Sequence, residues 1–366
     1  MTRHRGERWA RLGLGIAALL LSLYRAPGIL GEFDYGIDLD IPLRAAERWL
    51  EGESPYSVAG FELTRGADLP FLYPPFVLPL LAPLLVVPRD LAHALWASTL
   101  AVAVAAALLR LGIPGRAVPI VFLWPPILEG IWVGNVGLVL FAAFIFALTE
   151  PPAAPGQPVF RRVVTASEFG VRDGALAAIA WSLKISQVHG WVAVLRANRR
   201  AALLGVAPLV VLAGMTLPFV GLESWAGWLA QAPRASDPTW SQIGAPLSGL
   251  VGRPLGLLVA AITLPVAFLI RGPLAVPCLG LLVLAAAPSL HTHGWLFALP
   301  AMLAVRRQFA YGIALLLATY SPIAYWLGFV FLASLLAIST RWPFFIEPPM
   351  LALSTTASER ASTNDR

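Results

Sequence analysis

Charged residues, lysine and cysteine are all scarce in this 366-residue sequence. Only 13% of the residues are charged, whereas 58% are hydrophobic and the mean hydropathy is +0.74. This composition excludes a soluble globular protein with a polar surface. The single cysteine, Cys278, excludes an intramolecular disulfide framework and a cysteine metal cluster. Apart from Lys184 the fixed positive charges are arginines that cluster at the ends of apolar runs, which is typical of membrane topology and not of a nucleic-acid partner.

Motifs for nucleotide-driven and hydrolytic chemistry are missing as well. The chain contains no P-loop, no G-x-G-x-x-G after a strand pattern, no G-x-S-x-G and no H-E-x-x-H. These absences count against ATP-driven enzymes, dinucleotide-binding enzymes and serine or zinc hydrolases.

The sequence contains about ten to twelve apolar stretches. A helix needs roughly 20 apolar residues to cross a bilayer. We therefore predict an all-α polytopic integral membrane protein. Residues 1–11 would form a basic cytoplasmic N-terminus, residues 12–341 the transmembrane domain and residues 342–366 a polar tail. The first apolar run lacks a cleavage-site pattern, so we expect an uncleaved anchor and an extracytoplasmic first loop at residues 31–70.

This first loop carries the carboxylates Asp34, Asp38 and Asp40, followed by an amphipathic helical pattern. The apolar face of the pattern comprises Leu39, Leu43, Ala46 and Leu50. We predict Asp40 as the N-cap of the helix and Gly52 as its C-terminal stop. Asp38 precedes the predicted cap and is the better catalytic candidate. The D-x-D pattern of Asp38 and Asp40 can hold a divalent metal in other proteins, although it is common by chance.

Prolines and glycines interrupt several of the apolar runs. Residues 71–88 contain five prolines and are predicted to form a broken crossing or a re-entrant segment. The run at residues 118–148 is interrupted by a Pro-Pro pair and again at Gly134 and Asn135. Residues 221–254 are predicted to be a Trp-rich polar loop on the outer side.

A few polar side chains within this apolar chain are candidates for chemistry. Lys184 lies in an apolar run, where a cation costs several kcal/mol unless it is paired. It would meet a phosphate at the membrane, or snorkel, or pair with a structural carboxylate. His291 and His293 could bind phosphate, carry a proton or stack on an aromatic ring, and without a third ligand they are a weak metal signal. Tyr56 and Tyr73 flank prolines and are either substrate contacts or interfacial anchors.

The order of several motifs resembles that of glycosyltransferase family 87. These motifs are D-L-D-I-P-L-R-A-A-E-R-W-L-E-G-E-S-P-Y from Asp38, F-L-Y-P-P from Phe71, W-V-G-N-V-G-L-V-L from Trp132, a glycine-alanine run ending in Lys184, and P-S-L-H-T-H from Pro288. The resemblance covers roughly residues 10–310 and implies a GT-C membrane fold. It places the essential acid of the family at Asp38 and matches Asn135, Lys184 and His293 to further motif positions. The chain departs from the family pattern at Pro42 and Leu43, where an aromatic pair is usual.

The resemblance also implies a function. We expect a multi-pass plasma-membrane enzyme that moves a mannose-like or arabinofuranose-like sugar from a polyprenyl-phosphate donor to a hydroxyl of an envelope glycolipid or glycan. Asp38 would be the general base of an inverting displacement on the extracytoplasmic side, and Lys184 or His293 would neutralise the phosphate. The remaining predicted substrate contacts are Tyr56, Tyr73, Asn135 and Asp40.

No cofactor is expected, with a divalent metal as a lesser alternative, and the lipid bilayer is the main partner besides the substrates. The principal alternative function is a secondary transporter or lipid-linked sugar flippase, with Asp38 and Lys184 as coupling charges. Such a transporter would be expected to show an internal repeat, and none is evident in the sequence.

Overall fold

A computed structural model of the chain describes residues 2–56, 61–64, 67–150, 169–233, 246–339 and 345–346. Helices form nearly all of its regular structure. In chain order they are α1 (Thr2–Glu32), α2 (Ile37–Leu50), α3 (Val77–Leu81), α4 (Arg89–Arg110), α5 (Val118–Phe122), α6 (Pro125–Val133), α7 (Gly137–Leu148) and α8 (Val171–Leu183). They continue with α9 (Val188–Ala197), α10 (Arg199–Gln231), α11 (Leu247–Val251), α12 (Arg253–Leu269), α13 (Ala275–Ala286), α14 (Leu299–Ala304), α15 (Arg307–Ala318) and α16 (Pro322–Ser339). Short 3-10 helices lie at Ala82–Val86, Gly115–Ala117, Ile185–Gln187 and Thr292–Ala298.

One small hairpin departs from the predicted all-α architecture. Strand β1 (Phe61–Thr64) pairs in antiparallel fashion with β2 (Ala67–Leu69) in the connection between α2 and α3. The sequence analysis missed it because strands of four and three residues are too short to show an alternating pattern.

The lengths of the helices support a polytopic membrane protein. Within the described residues, four helical segments are long and apolar enough to cross a membrane, and they contain α1, α4, α10 and α16. A fifth crossing is added if α6 and the helical turns before it, which meet at a bend of 71°, count as one broken span. Shorter apolar helices of 10–17 residues supplement them, among them α7, α12, α13 and α15. The ten to twelve predicted segments thus combine a few full-length crossings with several short ones.

The predicted interruptions are confirmed. The proline-rich run at residues 71–88 forms only α3 and the 3-10 helix Ala82–Val86, too short together for a full crossing. The run at residues 118–148 is divided into α5, α6 and α7, and α6 ends at Gly134 with a φ of 79°. These interruptions matter because side chains at broken helix ends can point into a cavity inside a membrane domain.

The N-terminus of α2 differs from its prediction. The helix begins at Ile37, after Gly36 with a φ of 77°, and no side chain caps it. Asp40 is therefore inside the helix, and the prediction that it is the N-cap is wrong. Glycine is required at position 36, because a Cβ there would lie 2.8 Å from the ring of His93. The amphipathic helix itself is confirmed, and Gly52 follows its end with a φ of 78°. Of the predicted apolar face, Leu39, Leu43 and Ala46 are buried, whereas Leu50 in the last turn is 60% exposed.

The predicted polar loop at residues 221–254 is wrong over much of its length. Helix α10 continues to Gln231 across a kink at Gly221, where φ is 71° and ψ is 161°. Trp225 and Trp228 on this extension pack together with ring centroids 5.7 Å apart, and the Trp228 indole donates a 3.0 Å hydrogen bond to the carbonyl of Leu72. Tertiary contacts of these indoles thus stabilise helix where the composition indicated a loop.

The backbones of helices α8 and α10 are in direct contact. A Cβ at Gly174 of α8 would lie 2.1 Å from the carbonyl oxygen of Ala201, and a Cβ at Gly205 would lie 2.3 Å from the carbonyl carbon of Gly174. Small residues that permit such contact are typical of helix pairs in membranes, where packing replaces hydrophobic exclusion as the driving force. This contact fixes the distance between two walls of the cavity described below.

The polar tail predicted at residues 342–366 lies outside the described residues except for Phe345 and Ile346. Ile346 forms an isolated antiparallel bridge with Val305, and the Arg306 N–H donates to the carbonyl of Phe345. These two residues therefore pack on the helical body.

Candidate functional site

One large cavity collects most of the side chains that the sequence analysis selected. It encloses about 800 Å³ and is walled by α2, the segment before α3, α6, the α6–α7 and α8–α9 interruptions, α10 and the loop after α13. The predicted site residues that line it are Asp38, Tyr73, Asn135, Lys184 and His293. In the described part of the chain, Tyr56 and Asp40 are not among its lining residues.

Two glycines bring the start of α2 against the end of α6. The Gly36 N–H donates a 2.9 Å hydrogen bond to the carbonyl of Trp132, and the Trp96 indole donates a 2.7 Å bond to the carbonyl of Gly134. A Cβ at Gly134 would lie 3.5 Å from the Cα of Gly36, so the two backbones approach closely. The first turn of α2, which carries Asp38, therefore faces the residue that follows Gly134.

Asn135 joins two side chains of the cavity, Asp38 and Lys184. Its Nδ2 donates a 2.5 Å hydrogen bond to Oδ2 of Asp38, while its Oδ1 accepts a 3.0 Å bond from Nζ of Lys184. Oδ1 also accepts a 2.7 Å bond from the backbone N–H of Gly137 in the first turn of α7. Because a lysine ammonium and a backbone N–H can only donate, the orientation of the amide is determined. Oδ1 of Asp38 has no hydrogen-bond partner among the described residues.

Lys184 lies at an interruption between α8 and α9. The helix ends at Leu183, Lys184 has extended dihedrals of −136° and 112°, and the 3-10 helix Ile185–Gln187 follows. The sequence placed this lysine in a continuous apolar run, and the interruption explains how its ammonium reaches a polar neighbour instead. Burying a cation requires such a partner, because an unpaired charge in an apolar medium is strongly disfavoured.

Asp40 and Tyr56 support the walls of the cavity from behind. Oδ1 of Asp40 lies 2.7 Å from Nε of Arg89 and 2.8 Å from Nε2 of His93, which ties α2 to α4. The Tyr56 hydroxyl donates a 2.7 Å hydrogen bond to the carbonyl of Tyr73. Both side chains thus hold residues or helices that reach the cavity, while their own polar atoms are engaged elsewhere.

Glu129 is a cavity residue that the sequence analysis missed. This glutamate of α6 is only 2% exposed. Its Oε1 lies 3.1 Å from Nδ1 of His293 and 3.4 Å from the backbone nitrogen of His293, and its Oε2 accepts a 2.7 Å hydrogen bond from the hydroxyl of Tyr320. The signal was available, because Glu129 is the only charged residue in the apolar run at residues 118–148. The argument applied to Lys184, that an isolated charge in an apolar run has a function, applies equally here.

The two histidines of the cavity are stacked, with His293 buried and His291 half-buried. The rings of His291 and His293 are 5.5 Å apart and inclined by 11°. Burial lowers the pKa of His293 to about 3 and, together with the neighbouring His293, lowers the pKa of His291 to about 4. Both rings are therefore neutral at physiological pH, which disfavours the prediction that His293 neutralises a phosphate by its own charge.

The cavity is open to the surface of the helical bundle on one side. Four residues of α10 at helical spacing line it, namely Val206, Leu209, Val210 and Ala213. Residues at the end of α8 also line it, as does Ile185 just beyond that helix. Val210 is 64% exposed and Ile185 is 70% exposed, so both belong to the cavity and to the outer apolar surface at once. An apolar chain could therefore enter the cavity from the side.

Aromatic rings form the end of the cavity near the α2–α3 connection. Tyr73, Phe76, Trp225 and Trp228 line this end, and the Phe76 and Trp225 rings lie 6.4 Å apart. The faces of such rings bind apolar chains and the C–H faces of sugars alike.

In the part of the chain that the structure describes, no three His, Cys, Asp or Glu side chains group as a metal site would need. The chemistry that the cavity offers comes from the acidic side chains of Asp38, Glu32 and Glu129, an ammonium, neutral imidazoles and an amide. This set can accept a proton at one point and stabilise an anion at another.

The chain matches the model of a known family. The model of glycosyltransferase family 87 matches residues 71–317, which is more than half of the chain. The match includes Asn135, Lys184 and His293 but begins after α2, so it does not include Asp38. No curated protein and no solved structure matches the chain.

Proposed function

This chain belongs to glycosyltransferase family 87, and from that premise we propose that it moves a sugar from a polyprenyl-phosphate donor to a hydroxyl of an envelope glycolipid or glycan. The sugar would be mannose-like or arabinofuranose-like. The observation that carries the proposal is the connection of Asp38 through Asn135 to Lys184 across one cavity. In this proposal Asp38 is the proton acceptor and Lys184 the anion-binding cation, and a single amide lies between them.

The side opening of the cavity supports a lipid-linked donor. A polyprenyl chain is apolar along its length, and it would lie between the exposed Val210 and Ile185 while its phosphate reaches the polar interior. Interrupted helices line this path, and irregular backbone at membrane depth is tolerated where it borders a cavity. The aromatic end near Tyr73 would hold the remaining apolar or sugar surface of a substrate.

The proposed reaction is a single displacement. The acceptor oxygen attacks the anomeric carbon and its proton passes to Asp38, while the bond from the anomeric carbon to the phosphate oxygen breaks and its electron pair leaves with the polyprenyl phosphate. Lys184 stabilises the negative charge that develops on the departing phosphate. Attack opposite the leaving group inverts the anomeric configuration.

We place this chemistry on the extracytoplasmic side of the plasma membrane. The N-terminus, with its basic residues 1–11, would lie in the cytoplasm, and residues 31–70 on the outer side. Residues 12–341 would constitute the transmembrane domain, and residues 342–366 would follow it as a polar tail.

Transfer of label tests the proposal. Membranes that contain the protein are incubated with radiolabelled polyprenyl-phosphate mannose or polyprenyl-phosphate arabinose and with extracted envelope lipids. We expect label to move to the lipid or glycan fraction with the wild type and not with Asp38→Asn. Absence of transfer from both donors, with the protein present and folded, would refute the choice of donor.

A further inference from the structure

A second polar cluster lies on the wall of the cavity formed by α6 and the residues before α14. It consists of Glu129, His293 and Tyr320, with Glu32 also lining the cavity. Glu129 accepts from the backbone and ring of His293 through one oxygen and from the Tyr320 hydroxyl through the other. Nothing in the proposed displacement uses this cluster.

The hydrogen bonds of Glu129 bear on which nitrogen of His293 carries the proton. With Glu129 ionised, both of its oxygens can only accept, and Nδ1 of His293 then donates. Because the ring is neutral, Nε2 then holds a lone pair and can only accept a hydrogen bond. Nε2 has no partner among the described residues, although His293 is only 5% exposed and lines the cavity. An acceptor presented to a largely apolar cavity is suited to a ligand that donates a hydrogen bond.

The backbone of Tyr320 supports this interpretation. Tyr320 has a φ of 59°, and it is the only described residue other than glycine with a positive φ. A bulky residue in this conformation is strained, and such strain is commonly retained where it serves a site. Here the strained backbone brings the phenol hydroxyl to Oε2 of Glu129.

We propose that Nε2 of His293 accepts a hydrogen bond from a sugar hydroxyl in the cavity, and that Glu129 and Tyr320 are positioning residues that hold His293 in the required tautomer. A phosphate is the wrong ligand for this wall, because it offers oxygens to a lone pair and would lie beside the carboxylates of Glu32 and Glu129. The cavity is thereby divided, with phosphate at Lys184 and a hydroxyl at His293. This inference rests on the proposed function and deepens it, since the hydroxyl belongs to the sugar of the donor or to the acceptor.

The first test observes the tautomer directly. The protein, which has five histidines, is labelled with 15N-histidine and its imidazole nitrogens are recorded by NMR in detergent micelles at pH 7, with His293→Gln used for assignment. We expect protonated Nδ1 and unprotonated Nε2 at His293. Tyr320→Phe should disturb this signal more than Tyr325→Phe, which removes a nearby hydroxyl that bonds Thr292 instead of Glu129. A protonated Nε2 in the wild type would overturn the proposal.

The second test separates the two sources of the hydroxyl. Binding of polyprenyl-phosphate mannose and of bare polyprenyl phosphate is measured for the wild type, Glu129→Gln and His293→Phe. Loss of one neutral hydrogen bond should weaken binding roughly three- to tenfold. If His293→Phe weakens binding of the sugar-bearing lipid alone, the hydroxyl is that of the donor; if both lipids bind as before and the KM for the acceptor rises, the hydroxyl is that of the acceptor. No change in either quantity would contradict the subsite.

Failure of the donor proposal remains distinguishable from failure of the subsite. If neither lipid binds the wild type, the polyprenyl-phosphate proposal fails, and methyl mannoside and methyl arabinofuranoside become the probes. A shift of the His293 Nε2 resonance on adding either glycoside would support the hydroxyl subsite, and the absence of any shift would refute it. Glu129→Gln should retain most of the response, because an amide oxygen can still accept from Nδ1.

Discussion

Asp38→Asn is the change that most directly tests the proposed mechanism. The amide has nearly the shape of the carboxylate and can still bond to Asn135, but it cannot accept a proton from the attacking hydroxyl. The matched control is Asp40→Asn, two residues further along α2. Asp40 bonds to Arg89 and His93 and does not line the cavity.

Asp38→Asn should lower the transfer rate, whereas Asp40→Asn should mainly lower stability. Removal of a general base typically costs about 10²- to 10⁴-fold in rate, which is about 2.7 to 5.4 kcal/mol of transition-state stabilisation. For Asp40 the loss concerns an ion pair in which Arg89 is 34% and Asp40 22% exposed. Pairs of this exposure contribute about 1 kcal/mol or less, and the amide oxygen can still accept from Arg89. We therefore expect Asp40→Asn to lower thermal stability slightly and to leave the transfer rate within about threefold, a range that corresponds to about 0.7 kcal/mol.

The assay is single-turnover transfer of label from the polyprenyl-phosphate donor, with protein levels and melting temperatures measured for each variant in the same detergent. Donor binding to Asp38→Asn should be retained, because Lys184 is intact. Equal loss of rate in both variants, or a rate near that of the wild type for Asp38→Asn, would refute the assignment of Asp38 as the base.

Three further changes test other parts of the structure. Lys184→Met should keep the protein folded, because it removes a buried charge and retains the stem volume. It should weaken donor binding, and Lys184→Arg should restore part of that binding. Unfolding of the methionine variant would show that the lysine is structural. Gly205→Ala should destabilise the protein by about 1 to 3 kcal/mol through the α8–α10 contact. Gly214→Ala should leave stability unchanged, because a Cβ there would meet nothing within 4 Å. Equal melting temperatures of the two variants would contradict the close packing. Glu51→Cys in a Cys278→Ser background should react with an impermeant maleimide on intact cells, and reaction only after lysis would reverse the proposed orientation.

Local rules predicted the helices and their interruptions well. Proline and glycine act through backbone geometry within a few residues, so the ends of α6 and the short helices after residue 71 could be inferred directly. The start of α2 could not, because two signals competed. Asp40 has the side chain of an N-cap, but Gly36 takes the positive φ that lets α2 begin against α6. Asp40 then lies inside the helix and forms an ion pair with Arg89, which belongs to α4.

The candidate site could be predicted only in part, since its residues come from segments far apart in sequence. Lys184 was found because an isolated cation in an apolar run is conspicuous, and Asp38 because it lies in a polar loop near the membrane. The function of Asn135 as a bridge between them depends on the docking of α2 on α6. The pairing of Glu129 with Tyr320 spans 191 residues and no local pattern predicts it.

The amide of Asn135 also explains how the proposed base and the proposed phosphate-binding cation avoid pairing with each other. In the described part of the chain, no ion pair joins Asp38 to Lys184, although the two charges interact through space. A direct pair would make the carboxylate a weaker base and would occupy the ammonium that the phosphate needs. Asn135 satisfies one hydrogen bond of each group and holds them apart, so that Oδ1 of Asp38 and the remaining donors of Lys184 stay available to substrates. On this argument Asn135→Asp should be more damaging than Asn135→Ala, because a second carboxylate would pair directly with Lys184 and compete with the phosphate.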